Sequence, residues 1–265
     1  MKNILLLVHD DVGQDARLQA ALDLTRALDG HLSCIDVAVL PVVTANYYDD
    51  GGASMLMQLE RERESDNKAK LASRLANEDV PWSWVDATNS LADGVIDAAG
   101  LADLIVLNRK LDAFPYPDMR DAASRILTHA RKPIVAVPDS LKRFELRRAL
   151  IAWDGQESAA ATMRACIPLL SLASEVEIFM ARDGGGTIEP TEAAEYLSRH
   201  GIHASIRVIT DGLTAPDHLI ADECERWKPD YVLMGAYSHG RLIEAFGGVT
   251  KRMLDHSNVP LILGH

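Results

Sequence analysis

The chain is poor in cysteine, poor in aromatic residues and short of positive charge, and each shortage removes a class of protein. Its three cysteines, Cys34, Cys166 and Cys224, stand far apart and in no CxxC arrangement. That spacing argues against a disulfide framework or a zinc ribbon and points to a reducing compartment. Lys and Arg total 27 against 39 Asp and Glu, a formal charge of −12. The first 140 residues hold 22 acids and 14 bases and the remainder 17 and 13, so neither half offers the positive field that a nucleic-acid backbone requires. Small anionic ligands stay open, provided backbone amides supply the local positive potential. The opening MKNILLLVHDD carries an apolar run of five that ends at His9, too short for a secretory h-region or a membrane span. The expected location is the cytoplasm. There is also no GxxxxGK[ST] and no GxGxxG directly after a first strand, which argues against Walker-type NTPases and Rossmann dehydrogenases.

What remains is an ordinary globular composition, 48% hydrophobic and 25% charged. A length of 265 residues allows one large domain or two smaller ones. An internal repeat decides between them. RILTHARKPIVAVP, from Arg125, matches RMLDHSNVPLILGH, from Arg252, with one offset for Arg125/Arg252, Leu127/Leu254, His129/His256 and Pro133/Pro260. The same offset carries Asp103 of DLIVLN onto Asp230 of DYVLMG. The opening strands also correspond, KNILLLVHDD with RRALIAWDGQ, and place Asp10 on Asp154 at a larger offset. The first copy therefore carries extra residues, best placed between Leu40 and Asp66. The charged stretch SLKRFELRR separates the copies, so two domains of one ancestry are expected, at residues 1–140 and 146–265.

Each copy alternates short apolar runs with helical patterns, which is the pattern of βαβ units and a parallel sheet. Strands are expected at Asn3–Val8, Leu32–Val39, Trp82–Asp86, Asp103–Asn108 and Pro133–Val137, then at Arg148–Trp153, Glu175–Ala181, Ala204–Ile209, Asp230–Gly235 and Val259–Leu263. Runs such as ILLLV and LIVL suit strands buried on both faces. Between them, Leu18, Ala21, Leu22, Thr25 and Leu28 form one apolar helical face that ends at Gly30. After Ser158, Met163, Cys166, Ile167 and Leu170 repeat the pattern, with a bend expected at Pro168. The expected fold is α/β: two tandem Rossmann-like units, each a five-stranded parallel sheet with helices on both faces.

In such a sheet a ligand binds beyond the carboxyl ends of the strands, where the winding reverses. In the second copy the loops there are WDGQES, from Trp153 to Ser158, and MGAYSHGRLIEAFGGVTKRML, from Met234 to Leu254. Gly235 ends a buried strand, and Gly247-Gly248 precede the helix Val249–Asp255. Glycines there let successive amides converge on an oxyanion at a helix N-terminus. Equally, Gly247-Gly248 can form a tight turn and Gly235 can simply end its strand.

On these residues the chain resembles the universal stress proteins, specifically the tandem type with two such domains. In that family a G-x2-G-x9-G-[ST] motif after the fourth strand wraps the phosphates and ribose of ATP, while an Asp ending the first strand meets the adenosine. The resemblance implies a site for ATP or ADP, with or without Mg, at Asp154, Gly155, Met234, Gly235, Ser238, His239, Gly240, Arg241, Gly247, Gly248, Val249 and Thr250. Ser238 stands where Gly is usual, eight residues separate it from Gly247, and Gly248 replaces the usual Ser or Thr. In the first copy Asn108, Leu111, Arg120 and Asp121 fall where the second has Gly235, Ser238, Gly247 and Gly248. A carboxylate at that turn repels phosphate, so one nucleotide per chain is expected. The resemblance further implies a nucleotide-dependent sensor with a regulatory protein partner and at most slow hydrolysis. It also implies that Pro133–Val137 and Val259–Leu263 pair within the chain as a pseudo-dimer, satisfying two sheet edges; a homodimer is a further option. A non-catalytic scaffold and a metal-dependent hydrolase are the alternatives.

Other constellations have bland readings beside sharp ones. Asp10-Asp11, with Asp86, resemble the acidic set of a phospho-receiver, or else cap and solvate a loop. His200, His203, His218, His239 and His256 all fall in the second copy without a zinc motif. His129 and His256 share a helix-end position that suits a cation. ERERESDNKAK reads as a solvated helix face, and Trp82 and Trp84 as packing on one face of a strand. The segment from Pro41 to Gln58 reads as a lid over the first copy or as an ordinary loop.

Overall fold

The computed structural model describes residues 1–38, 52–108, 119–181, 187–236 and 248–264. The first half runs β1 (Asn3–Val8), α1 (Gln14–Ala27), β2 (His31–Ala38), α2 (Gly52–Leu75), β3 (Trp82–Thr88), α3 (Leu91–Ala98), a 3-10 turn at Ala99–Leu101, β4 (Leu104–Asn108), α4 (Met119–His129) and β5 (Ile134–Val137). The second runs β6 (Arg148–Ala152), α5 (Glu157–Ala165), α6 (Ile167–Leu170), β7 (Glu175–Ala181), α7 (Pro190–Arg199), β8 (Ala204–Ile209), α8 (Pro216–Trp227), β9 (Tyr231–Gly235), α9 (Gly248–His256) and β10 (Leu261–Gly264). Every expected strand is present; β1, β7 and β8 match at both ends and the others differ by one or two residues.

The ten strands form one sheet in the order β3-β2-β1-β4-β5-β10-β9-β6-β7-β8. Each half is wholly parallel, and the halves meet where β5 and β10 pair antiparallel, with Ile262 opposite Val135. The expected edge-to-edge pairing of the last strands is thus made within the chain. It puts two would-be edges into the middle of a sheet, so that among the described residues β3 and β8 are its edges. The strands near the seam are buried on both faces, whereas β8 is exposed over most of its length. One core lies between the sheet and α1, α2, α5 and α7; the other lies beneath α3, α4, α8 and α9.

The repeat is built from the same contacts as well as the same pattern. Asp103 Oδ2 accepts the backbone N–H groups of Lys2 and Asn3 at 2.7 and 3.0 Å, and Asp230 Oδ2 accepts those of Arg147 and Arg148, both at 2.8 Å. In each half one carboxylate, just before the fourth strand, fixes the entry of the first. The extra length of the first copy falls between β2 and β3, where α2 has 24 residues against 10 for α7. Phe144, in the connection between halves, stacks on Tyr231 at 5.9 Å between centroids while its N–H donates to Asp23.

Two local expectations are refined. The face Leu18, Ala21, Leu22, Thr25, Leu28 is buried as expected, but the left-handed residue after α1 is Asp29, with φ of 47°. Gly30 is required instead by close approach, since a Cβ there would stand 2.5 Å from the Lys2 carbonyl oxygen. The interruption expected at Pro168 divides α5 from α6 at Cys166, and Pro168 sits in the first turn of α6, where its missing N–H costs nothing.

Candidate functional site

In the second half β6 has β9 on one side and β7 on the other, so the winding reverses between β6 and β9. The loop leaving β6 is fastened there. Trp153 is buried and its indole N–H donates to the Ile188 carbonyl at 3.0 Å. Asp154 Oδ1 accepts the Gln156 N–H at 2.9 Å, which ties the acid to the start of α5. Gly155 has φ of 73°, a backbone state that any side chain would strain, and its carbonyl accepts the N–H groups of Thr187 and Ile188. Asp154 and Gly155 are therefore placed at the crevice by the fold itself.

Met234 and Gly235 form the end of β9 beside this loop. The Met234 side chain is buried in the core under α8 and α9, so only its backbone can face a ligand. Gly235 meets the first turn of α5: a Cβ there would stand 2.5 Å from the Ala159 amide nitrogen and 2.6 Å from Ser158 Oγ. Its lack of a side chain is demanded by helix-on-strand packing, whatever binds nearby. Ser158 Oγ is itself buried and has no hydrogen-bond partner among the described residues. Sequence reasoning placed Ser158 in this loop but not among the ligands. Gly248, Val249 and Thr250 make the first turn of α9; Gly248 is exposed and Thr250 buried. Ser238, His239, Gly240, Arg241 and Gly247 lie outside the described residues, as does most of the segment from Pro41 to Gln58.

The matching place in the first half carries a buried hydrogen-bond network. Arg17, on α1, is fully buried. Its Nε donates to the Leu7 carbonyl at 2.7 Å, Nη2 to the His9 carbonyl at 2.9 Å, and Nη1 to both oxygens of Asp11. Asn108, ending β4 where β9 has Gly235, donates from Nδ2 to Asp11 Oδ1 at 3.0 Å. Burial lowers the affinity of the guanidinium for its proton, while Asp11 and Asp139 oppose that shift. The glycine has also changed sides: a Cβ on Gly13, before α1, would stand 2.0 Å from Asn108 Nδ2.

This half corrects one pairing. Asn3 corresponds to Arg148 by the carboxylate that caps each, whereas the helices begin after Gly13 and Gln156. The loop is thus two residues longer in the first half. Asp11, which accepts the Gly13 N–H at 2.8 Å, is the counterpart of Asp154, and Asp10 is not.

Asp11 is committed to Arg17, and Asp86 lies on β3, separated from β1 by β2, where Lys68 and the Trp84 indole hold it and keep its carboxyl below the usual range. No receiver-like acidic set is assembled. Among the described residues no group of three or more His, Cys, Asp or Glu is arranged to hold a metal ion. His129 and His256 sit in the last turns of α4 and α9, and His200 packs on Tyr196 at the end of α7. Trp82 and Trp84 pack against the core.

Sequence reasoning did miss a charged cluster on the α8 face. Glu177 on β7 and Glu223 on α8 are buried against each other, with Arg226 bridging both and Arg207 of β8 on Glu223. Burial, then a hydrogen bond and repulsion from Glu223, push the Glu177 carboxyl up to about 7, while Arg226 opposes the shift. A carboxyl raised on folding contributes stability that is complete below its unfolded pKa and is lost as pH rises through the folded value. Glu177→Gln should therefore flatten the pH dependence of unfolding between pH 5 and 8 by about 1 kcal/mol, discounted for the opposing shift on Glu223. Paired urea titrations of wild type and variant at both pH values measure it, and parallel curves would refute it.

Ten strands in two identically wound halves, each with a switch-point crevice, define a tandem α/β protein of Rossmann-like build. Comparison with known proteins narrows this. No protein-family model matches the sequence, and no curated protein matches it. Among solved structures, a universal stress protein from Archaeoglobus fulgidus DSM 4304 is similar over 99% of this chain and 97% of its own, with a TM-score of 0.75 at 16% identity. A functionally unknown protein from Pseudomonas aeruginosa PAO1 is similar over 99% of this chain and 92% of its own, with a TM-score of 0.58 at 16% identity. The chain has the universal-stress-protein fold, carried twice. Among the described residues no helix is long and apolar enough to cross a membrane.

Proposed function

We propose that the chain is a stress-response protein of the tandem universal-stress type, with units at 1–140 and 146–265, that binds one ATP or ADP in its second half. The observation that carries this reading is the asymmetry of the two crevices. One carries the ion pair and hydrogen bonds of Arg17, Asp11 and Asn108; the other offers a fastened Asp154 and Gly155, a buried hydroxyl at Ser158 with no partner among the described residues, and a glycine-led helix end. That set fits an adenine nucleotide. Asp154 and Gly155 would meet the adenosine, the Met234 and Gly235 backbone the ribose side, and the amides from Gly247 through Thr250 the phosphates, together with Ser238, His239, Gly240 and Arg241. Mg, where present, would ride on the phosphates. The nucleotide then acts as a cytoplasmic signal read by a protein partner, and turnover is slow.

Saturating ATP at about 100 times its dissociation constant should stabilise the protein by about 2.7 kcal/mol. Titration calorimetry should give one site per chain. Gly248→Asp recreates the first-half residue Asp121 at this turn and should abolish ATP binding. Its folding should survive, because the nearest atoms to an added Cβ are the end of the Arg252 side chain, at 3.1 Å, and not backbone. Two equivalent sites, or unchanged ATP affinity in a folded Gly248→Asp protein, would refute the reading; no thermal shift at all would favour a scaffold.

A further inference from the structure

The two outer edges of the sheet are finished differently. β8 lies beyond β7 as the last strand, and its residues from Ser205 to Val208 are exposed. Its register sets Ala204, Ile206 and Val208 opposite Val176, Ile178 and Met180, so these three lie on the α7 side of the sheet, whose core those β7 residues join. α7 has 10 residues and leaves Ile206 39% and Val208 43% exposed. At the other edge the 24-residue α2 reaches the same face. Trp82 and Trp84 of β3 pack there against the core that holds Leu71 and Leu75 of α2, and Lys68 stands over Trp84 and pairs with Asp86. Among the described residues β8 has no such guard. Its one charge, Arg207, lies on the opposite face, where Nε donates to Glu223 at 2.8 Å. An unguarded apolar strand edge is a template for another strand.

We infer that β8 is the docking strand of a homodimer, pairing antiparallel with β8 of a second copy about a two-fold axis at Ile206. The strand is self-complementary in that register. Ile206 meets its own copy and Val208 meets Ala204, in both directions, which makes one unbroken apolar strip on the α7 side of both chains. On the other face Arg207 falls opposite Ser205, whereas an axis at Arg207 would set two guanidinium groups directly across the ladder. The strand ends also match in charge. Antiparallel pairing turns the exposed His203, just before each β8, toward the end where Asp211 follows the other; Asp211 is kept ionised by donors from Thr214 and the Leu213 N–H. The contact would continue the same sheet and repeat between chains what β5 and β10 do within one. It also closes on itself, whereas β8 against β3 would run on as a filament. One strand pair buries less than a standard interface, so a micromolar dimer is expected.

The test is sedimentation velocity of the full chain from about 1 to 500 μM, comparing wild type with Ile206→Lys and with Val85→Lys, an exposed position on β3. Wild type should pass from monomer toward dimer over this range. Ile206→Lys sets two ammonium groups across the axis and should weaken association at least about 10-fold, while Val85→Lys should behave like wild type. A second measurement reads the register and serves if the lysine variant fails to fold. Because residue 206 meets its own copy, Ile206→Cys should form an intermolecular disulfide under mild oxidation at least about 10-fold faster than Val85→Cys. Wild type that stays monomeric throughout overturns the inference and leaves this edge to a strand of a different protein. A dimer that survives Ile206→Lys places the contact elsewhere, and one lost equally in Val85→Lys marks β8 against β3; either result overturns it, as do equal cross-linking rates.

Discussion

Arg17→Met is expected to remove about 3–5 kcal/mol of folding free energy, the cost of breaking a buried charge pair from one side. The guanidinium is wholly buried and satisfies the carbonyls of Leu7 and His9 and the carboxylate of Asp11 at once. Methionine fills much of the space but donates nothing. Two carbonyls would each lose a donor, the His9 carbonyl keeping the Asp11 N–H, and a largely buried carboxylate would keep the Gly13 and Asn108 donors. Against a typical total of about 5–15 kcal/mol this is a large fraction, and the urea midpoint should fall accordingly. Removing the stranded charge as well, in Arg17→Met with Asp11→Asn, should recover a good part of the loss, since an unpaired buried charge costs more than an unpaired buried amide. A loss under about 1 kcal/mol in the single variant would mean that water reaches Asp11 freely, and that the first crevice is open rather than plugged.

The contrast between these two crevices marks the limit of what the sequence reveals. The strands were legible because ILLLV, LIVL and their counterparts are buried on both faces of a parallel sheet, which demands unbroken apolar runs. The repeat was legible because Asp103 and Asp230, Pro133 and Pro260 each stand at fixed places in their units, and the seam at β5 and β10 follows from pairing the two last strands. Asp154 and Gly155 could be placed because their position is local: a short loop between one strand and the next helix. Arg17 could not. In sequence it is one charged residue on an amphipathic helix, and only the register of α1 over β1 brings it beneath the strand end. Ser158 escaped for the same reason, since its surroundings depend on Gly235, which is distant in the chain and near in space. The two-residue difference between strand and helix offsets hid the match of Asp11 with Asp154, because aligning the apolar strands through Asn3 and Arg148 carries His9 there, and the intermediate offset carries Asp10.

Gly235→Ala is expected to cost about 2–3 kcal/mol in protein free of nucleotide, as an overpacked core position does. The new methyl group would meet backbone, Ala159 N at 2.5 Å and the Ser158 carbonyl carbon at 2.9 Å, so α5 itself would have to move away from β9. The first half shows that the fold tolerates a side chain on the strand only when the helix entry yields: Asn108 occupies the strand position, and the glycine is Gly13, on the helix side. The two halves thus solve one steric problem with opposite partners. Denaturant titration without ligand separates the roles that a glycine can play here. A stability loss of the stated size without nucleotide assigns Gly235 to packing, with any change in ATP affinity following from the displaced α5. Unchanged stability with weakened ATP binding would instead make Gly235 part of the ligand cradle, and would require α5 to yield at no cost, contrary to the backbone contacts found there.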